Sequence, residues 1–123
     1  MTYFAMIFLH IINDFFLQGI LASMKQKAWW RNQEGYKDMY QDDYIVALMM
    51  HSFSWAFMIM LPIYFAMKFE LSWFYIIALF VNVFIHSIVD DLKANKMKIS
   101  LFTDQTIHLC QITWTYAIFR IVI

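Results

Sequence analysis

Seven ionisable side chains sit inside apolar stretches of this chain: His10, Asp14, His51, His86, Asp90, Asp104 and His108. Six of them form three pairs, His10-x3-Asp14, His86-x3-Asp90 and Asp104-x3-His108, while His51 stands alone. On a helix, residues four apart lie on one face, a turn from each other. Imidazoles and carboxylates converging on one point are the donor set of a borderline or hard divalent cation. All seven are therefore candidate metal ligands, and Asp14, Asp90 and Asp104 double as candidate catalytic carboxylates that accept a proton. Seven donors exceed the needs of one tetrahedral zinc. Either two ions bridged by a carboxylate, or one ion with outer carboxylates, would fit the count. Zinc is the first choice because of the histidines; manganese or iron also suits three carboxylates.

The elements that must position these residues are membrane helices. The chain has 123 residues, 63% of them hydrophobic and 20% aromatic, with 2 Gly and 1 Pro. Its mean hydropathy is +0.57. A soluble domain of this length needs more polar surface. The length suggests one transmembrane domain spanning residues 1–123. Net charge is zero without a block of like charge, which excludes a nucleic-acid partner. The single cysteine, Cys110, has no internal disulfide partner and reads as a small core residue. The first apolar stretch lacks a basic leader and carries His10 and Asp14, so it reads as a retained span.

Four stretches are long enough to cross a hydrocarbon core of about 30 Å: Tyr3–Ala22, Tyr44–Met67, Leu71–Asp91 and Leu101–Ile123. None alternates with period two, which rules out a barrel and leaves an all-α, four-helix membrane bundle. Pro62 falls in the last third of the second span, where it predicts a kink. The first connection carries Lys25, Lys27, Trp29, Trp30, Arg31, Tyr36, Lys37 and Tyr40, the composition of an interfacial segment. A short surface helix or an irregular loop would both fit it. The second connection, Lys68–Glu70, makes helices two and three a tight hairpin. Lysines cluster on connections one and three, which places those at the cytoplasmic face of a bacterial membrane and both termini outside.

Counting inward from that face puts His51, His108, His86 and Asp14 in one layer, roughly 8–12 Å below the boundary. The polar lines extend past the candidate ligands: His10, Asp14 and Gln18 on helix one; Asn82, His86, Asp90 and Lys93 on helix three; Asp104, His108, Gln111 and Thr115 on helix four. Such lines face a bundle interior. Inserting one Asp costs about 2.5–3.5 kcal/mol on insertion scales. A bound cation offsets that cost by supplying counter-charge. Trp29, Trp30, Trp73 and Tyr75 read as interface anchors, and Trp55 and Trp114 as residues lining the bundle. Ser52, Ser54, Ser87 and Thr113 read as interhelical hydrogen-bonding groups.

The segments His10-Ile-Ile-Asn-Asp14-Phe-Phe-Leu-Gln18, His86-Ser-Ile-Val-Asp90-Asp-Leu-Lys93 and Asp104-Gln-Thr-Ile-His108, with His51 between the first two, resemble an uncharacterised family of four-span proteins of bacteria and their phages. That family is catalogued as domain of unknown function 3307. Phe15, Leu17, Gln18, Lys25, Lys93 and Gln105 fall at matching positions. The resemblance implies a four-span membrane protein but brings no activity with it. A looser similarity, to bacterial membrane proteins described as metal-dependent hydrolases, is an analogy.

Three functions follow. The first is a metal-dependent hydrolase acting on a phosphate or ester near the lipid headgroups, with Gln18, Lys25, Lys93 and Gln105 as candidate substrate-binding residues. Lys25 and Lys93 read equally well as side chains snorkelling to the interface. The second is a phage accessory protein that binds a host membrane protein, its metal a structural staple. The third is transport of a divalent cation or protons, against which the apolar outer halves of helices one and two argue. The expected partners are membrane lipids, with a host membrane protein or a homodimer also compatible.

Overall fold

A computed structural model describes residues 1–122 and is all-helical, with no strand among the described residues. Helix α1, Thr2–Ile12, runs into a wider π turn, Asn13–Leu17. Two short helices follow, α2 (Leu21–Met24) and α3 (Lys27–Arg31). Then come three long ones: α4 (Asp43–Ala66), α5 (Trp73–Ala94) and α6 (Leu101–Val122). The expected interfacial segment is thus two helical turns joined by bends, intermediate between the two forms the composition suggested.

Two helices, α4 and α5, are long and apolar enough to cross a membrane. The first span falls short of Tyr3–Ala22: the helix stops at Leu17, a reach of about 24 Å. The chain turns at Gly19, whose φ is +51° and whose absent Cβ would meet nothing within 4 Å. Gly19→Ala therefore meets no clash and carries only the left-handed backbone cost. We expect a loss of about 1–2 kcal/mol in thermal or denaturant unfolding in detergent, with no change in helix content. Helix α6 matches α5 in length, but Asp104, Gln105, His108, Gln111 and Thr115 interrupt its apolar run.

Helix α4 is the hub and touches every other helix and the π turn. It runs on through Pro62 as one element. At the α4–α5 turn the chain reverses with Lys68 and Phe69 at positive φ. The Phe69 ring packs edge-on against Tyr64 and Phe65, and Ser72 caps α5 by accepting from the Tyr75 N–H at 3.1 Å. One end of the bundle holds an apolar core in which Met6, Trp55, Ile59, Met60, Ile63 and Ile112 are fully enclosed.

The other end buries mostly His, Asp, Asn, Ser and Lys, and along the whole bundle Phe4, Phe8, Phe16, Phe57, Phe84 and Trp114 point outward, an inversion relative to a water-soluble protein. Trp114 therefore lies on the outside and does not line the bundle. Cys110 is likewise exposed rather than part of the core, because the polar line of α6 takes the inward face. Tyr75, expected as an interface anchor, is buried and donates its hydroxyl to the Met60 carbonyl at 3.2 Å.

Candidate metal centre

Four helices deliver the seven residues, and all seven are buried. The π turn carries Asn13 and Asp14 inward together; such wide turns recur where a helix must re-aim a side chain. Asn13 Nδ2 donates to Ser54 Oγ at 2.9 Å and ties that turn to α4. Helix α4 supplies His51 and Trp55, one turn apart. Helix α5 supplies His86 and Asp90, and α6 supplies Asp104 and His108.

Asp90 lies at the middle. Its Oδ2 is 3.2 Å from His51 Nε2 and 3.7 Å from His86 Nε2, and its Oδ1 is 3.4 Å from His108 Nε2. The His51 and His86 Nε2 atoms are 3.2 Å apart. Asp14 Oδ1 is 3.6 Å from His51 Nε2, and Asp104 Oδ1 is 3.3 Å from His108 Nε2. Neither Asp14 Oδ1 nor Asp104 Oδ1 has a hydrogen-bond partner, nor do the Nδ1 atoms of His51, His86 and His108. Three rings pack together: His86 stacks on Trp55 and on His108, each centroid 4.1 Å away, and those two rings are 5.2 Å from each other.

These spacings are those of a coordination shell. A tetrahedral ion with bonds of about 2.0–2.2 Å sets its donors about 3.3–3.6 Å apart. In two overlapping groups, Asp14/His51/His86 and His86/Asp90/His108, one donor atom from each residue lies within 4.8 Å of the others, so His86 belongs to both. His10 and Asp104 fall outside these groups. His10 Nδ1 accepts from the Trp55 indole N–H at 2.8 Å and lies 3.5 Å from Asp14 Oδ2, which gives it a supporting place beside the Asp14 ligand. Asp104 Oδ2 is held by Lys93 Nζ at 3.1 Å and by Gln105 Nε2 at 3.0 Å.

The four residues read as substrate-binding all surround this cluster. Gln105 Nε2 also lies 3.2 Å from Asp14 Oδ2. Gln18 Nε2 donates to the Asp14 carbonyl. Lys93 is partly exposed, and its ammonium turns to Asp104. Lys25 is the surprise: it is 5% exposed, 2.7 Å from Asp90 Oδ2 and 3.0 Å from Gln18 Oε1. It does not snorkel outward. Asn95, at the end of α5, holds it in place: its side chain donates to the Lys25 carbonyl at 3.1 Å and accepts from the Lys27 N–H at 2.6 Å. Nothing in residue spacing singles out Lys25 from the other lysines of that connection.

Two of the four hydroxyl residues read as interhelical groups do bridge helices, Ser54 to Asn13 and Thr113 to Tyr3 at 2.8 Å. Ser52 and Ser87 instead bond back to their own helix, at Leu48 and Phe84.

Fold and site together define an all-helical protein with a buried His/Asp cluster that is placed to hold a metal ion. The chain matches no protein-family model, no curated protein and no solved structure.

Proposed function

We propose that the chain is a four-span membrane metalloprotein that binds one divalent cation, zinc first, and acts as a metal-dependent hydrolase on a phosphate or ester bond at headgroup level. The observation that carries the reading is the 3.2–3.7 Å spacing of imidazole Nε2 and carboxylate oxygens contributed by four helices. The membrane part is supported by the inverted burial, with an apolar exterior around a charged interior.

One ion suits the charge better than two. Three carboxylates face two buried or half-buried ammoniums, Lys25 and Lys93, which leaves one negative charge when the histidines are neutral. One divalent ion overshoots that by a single charge, and a second would add two more uncompensated charges inside the bundle.

When bound, such an ion activates water near neutral pH. Asp14, whose Oδ1 has no partner, is placed to accept a proton, and Lys93 and Gln105 form the part-exposed rim where a substrate phosphate would bind. A second reading has a specific observation behind it: His51, His86 and His108 are at most 1% exposed. Such a sealed shell suits an ion that staples the bundle, as in an accessory protein that engages another membrane protein.

Two measurements decide. Elemental analysis of the protein purified in detergent should give one zinc, manganese or iron per chain. The loaded protein should cleave a phospholipid or isoprenyl phosphate, and His86→Ala, which takes the shared donor, should remove both metal and activity. Metal without cleavage leaves the staple; no metal ends both readings.

A further inference from the structure

One flank of the buried cluster is covered by a side chain rather than by a helix. Helices α1 and α6 run together at the apolar end, where the Tyr3 and Thr113 hydroxyls are 2.8 Å apart and the Tyr3 and Tyr116 ring centroids 5.2 Å. Toward the cluster they part. Helix α1 still approaches α6, but no Cα of the π turn comes within 8 Å of one in α6. Helices in direct contact have axes about 8–10 Å apart, so their facing Cα atoms come closer than that. The other sides are closed. Asn13 and Ser54 tie the π turn to α4, α4 packs along α5, and Lys93 of α5 engages Asp104 of α6. Lys25 caps the end, held by Asp90, Gln18 and Asn95.

The gap is spanned by Gln105. Its Nε2 lies 3.2 Å from Asp14 Oδ2 on the π turn and 3.0 Å from Asp104 Oδ2 on its own helix. An ionised carboxylate only accepts, so both amide hydrogens go into holding the two sides together. Gln105 itself is half-buried. Next to it, the Asp14 side chain is 9% exposed, against 0–2% for His51, His86, Asp90, Asp104 and His108. Nothing reaches those five unless a side chain swings aside. Moving Lys25 would strand the Asp90 carboxylate 2.7 Å away, whereas Gln105 is neutral and already open on one side.

We propose that the gap between the π turn and α6 is the entrance to the cluster, that the Gln105 amide is its gate, and that what enters is the phosphate headgroup of an amphiphile whose chain stays in the lipid. The class of molecule follows from the walls. Phe15, Phe16 and Leu17 on the π turn and Leu101 and Phe102 on α6 are all exposed, an apolar approach that suits a hydrocarbon chain and not a free phosphate. Lys93, part-exposed and sharing Asp104 Oδ2 with Gln105, stands beside the gate as the cation for the headgroup. The proposal rests on the reading of the cluster as a reactive centre at headgroup level.

The full chain, metal-free in phosphatidylcholine nanodiscs, is treated with diethyl pyrocarbonate, a small neutral reagent that acylates imidazole, and modification of His51, His86 and His108 is followed by peptide mass mapping. Gln105→Ala should speed it about 5- to 160-fold, the worth of two hydrogen bonds of about 0.5–1.5 kcal/mol each lost from the closed state. Thr113→Ala, which loosens the same two helices at their packed end, should leave the rate within about twofold of the parent. Dodecyl phosphate should slow modification of the parent saturably, and inorganic phosphate or dodecyltrimethylammonium at the same concentration should not. Equal rates in Gln105→Ala and the parent would overturn the gate, as would equal acceleration by Thr113→Ala. Equal protection by inorganic phosphate or by dodecyltrimethylammonium would overturn the amphiphile. If Gln105→Ala does not fold, Gln105→Asn, whose shorter amide cannot span both carboxylates, takes its place, and the phosphate comparison needs no variant. None of these readouts requires a bound metal or a cleaved bond, so the entrance stands or falls apart from the hydrolase reading.

Discussion

Alanine at His86 should lower divalent-cation affinity more than about 100-fold, beyond the 10–100-fold that loss of a supporting residue costs. His86 is the one side chain common to both ligand groups, so its loss dismantles each of them. Its Nε2 faces His51 Nε2 at 3.2 Å and Asp90 Oδ2 at 3.7 Å, and no other imidazole can swing into that place without leaving its own partners. His10→Ala should behave differently. His10 stands outside both groups and accepts from Trp55, so its removal should stay within the supporting range. It also strands the Trp55 indole N–H, a cost of about 1–3 kcal/mol in stability. Titration calorimetry on detergent-solubilised protein measures both affinities, and circular dichroism confirms that each variant keeps its helices. If His10→Ala and His86→Ala lose the same affinity, the assignment of His86 as the shared ligand fails.

The contrast between His86 and His10 marks how far the sequence could be read. Spacing of four residues put His86 with Asp90 and Asp104 with His108 on single helix faces, and those faces do turn inward together. The polar lines of helices three and four were legible for the same reason: Asn82, Gln111 and Thr115 continue the inward face by helical periodicity alone. Periodicity cannot rank residues on one face, however. His10 and Asp104 satisfy the same spacing as their partners, yet lie outside the donor groups, with Trp55 on the His10 Nδ1 and Lys93 on one oxygen of Asp104. Trp55 comes from another helix, and its indole direction is a consequence of packing. The π turn was equally hidden. It brings Asn13 and Asp14 inward side by side, which an unbroken 3.6-residue period does not, and the helix ends at Leu17, short of the Ala22 boundary that the apolar stretch suggested. Lys25 was named as a site candidate, but its burial against Asp90 was not legible, since a lysine next to paired tryptophans ordinarily belongs to the interface and only tertiary contacts bring it inward.

That buried lysine yields the second large effect. Lys25→Met keeps most of the side-chain volume and removes the charge. Asp90 then loses the ammonium 2.7 Å away while remaining 2% exposed. Stranding one partner of a buried pair costs about 3–5 kcal/mol, so the metal-free variant should unfold at markedly lower temperature or denaturant than the parent. With a divalent cation the order should change. The variant's cluster carries two negative charges where the parent's carries one, counting Lys93 and neutral histidines, and a divalent ion balances two. The ion also no longer faces a nearby ammonium, a repulsion of about 8 kcal/mol for a +2 and a +1 charge at 4 Å and an effective dielectric constant of 20. Metal affinity should therefore rise at least about tenfold, since 1.36 kcal/mol of that relief is enough. Saturating zinc should restore most of the lost stability. Adding Asp90→Asn to Lys25→Met should recover metal-free stability by removing the stranded carboxylate, and should weaken the zinc response by leaving only the Asp14/His51/His86 group. A Lys25→Met protein as stable as its parent without metal, or one that binds zinc more weakly, would show that Lys25 does not stand in for positive charge at the cluster.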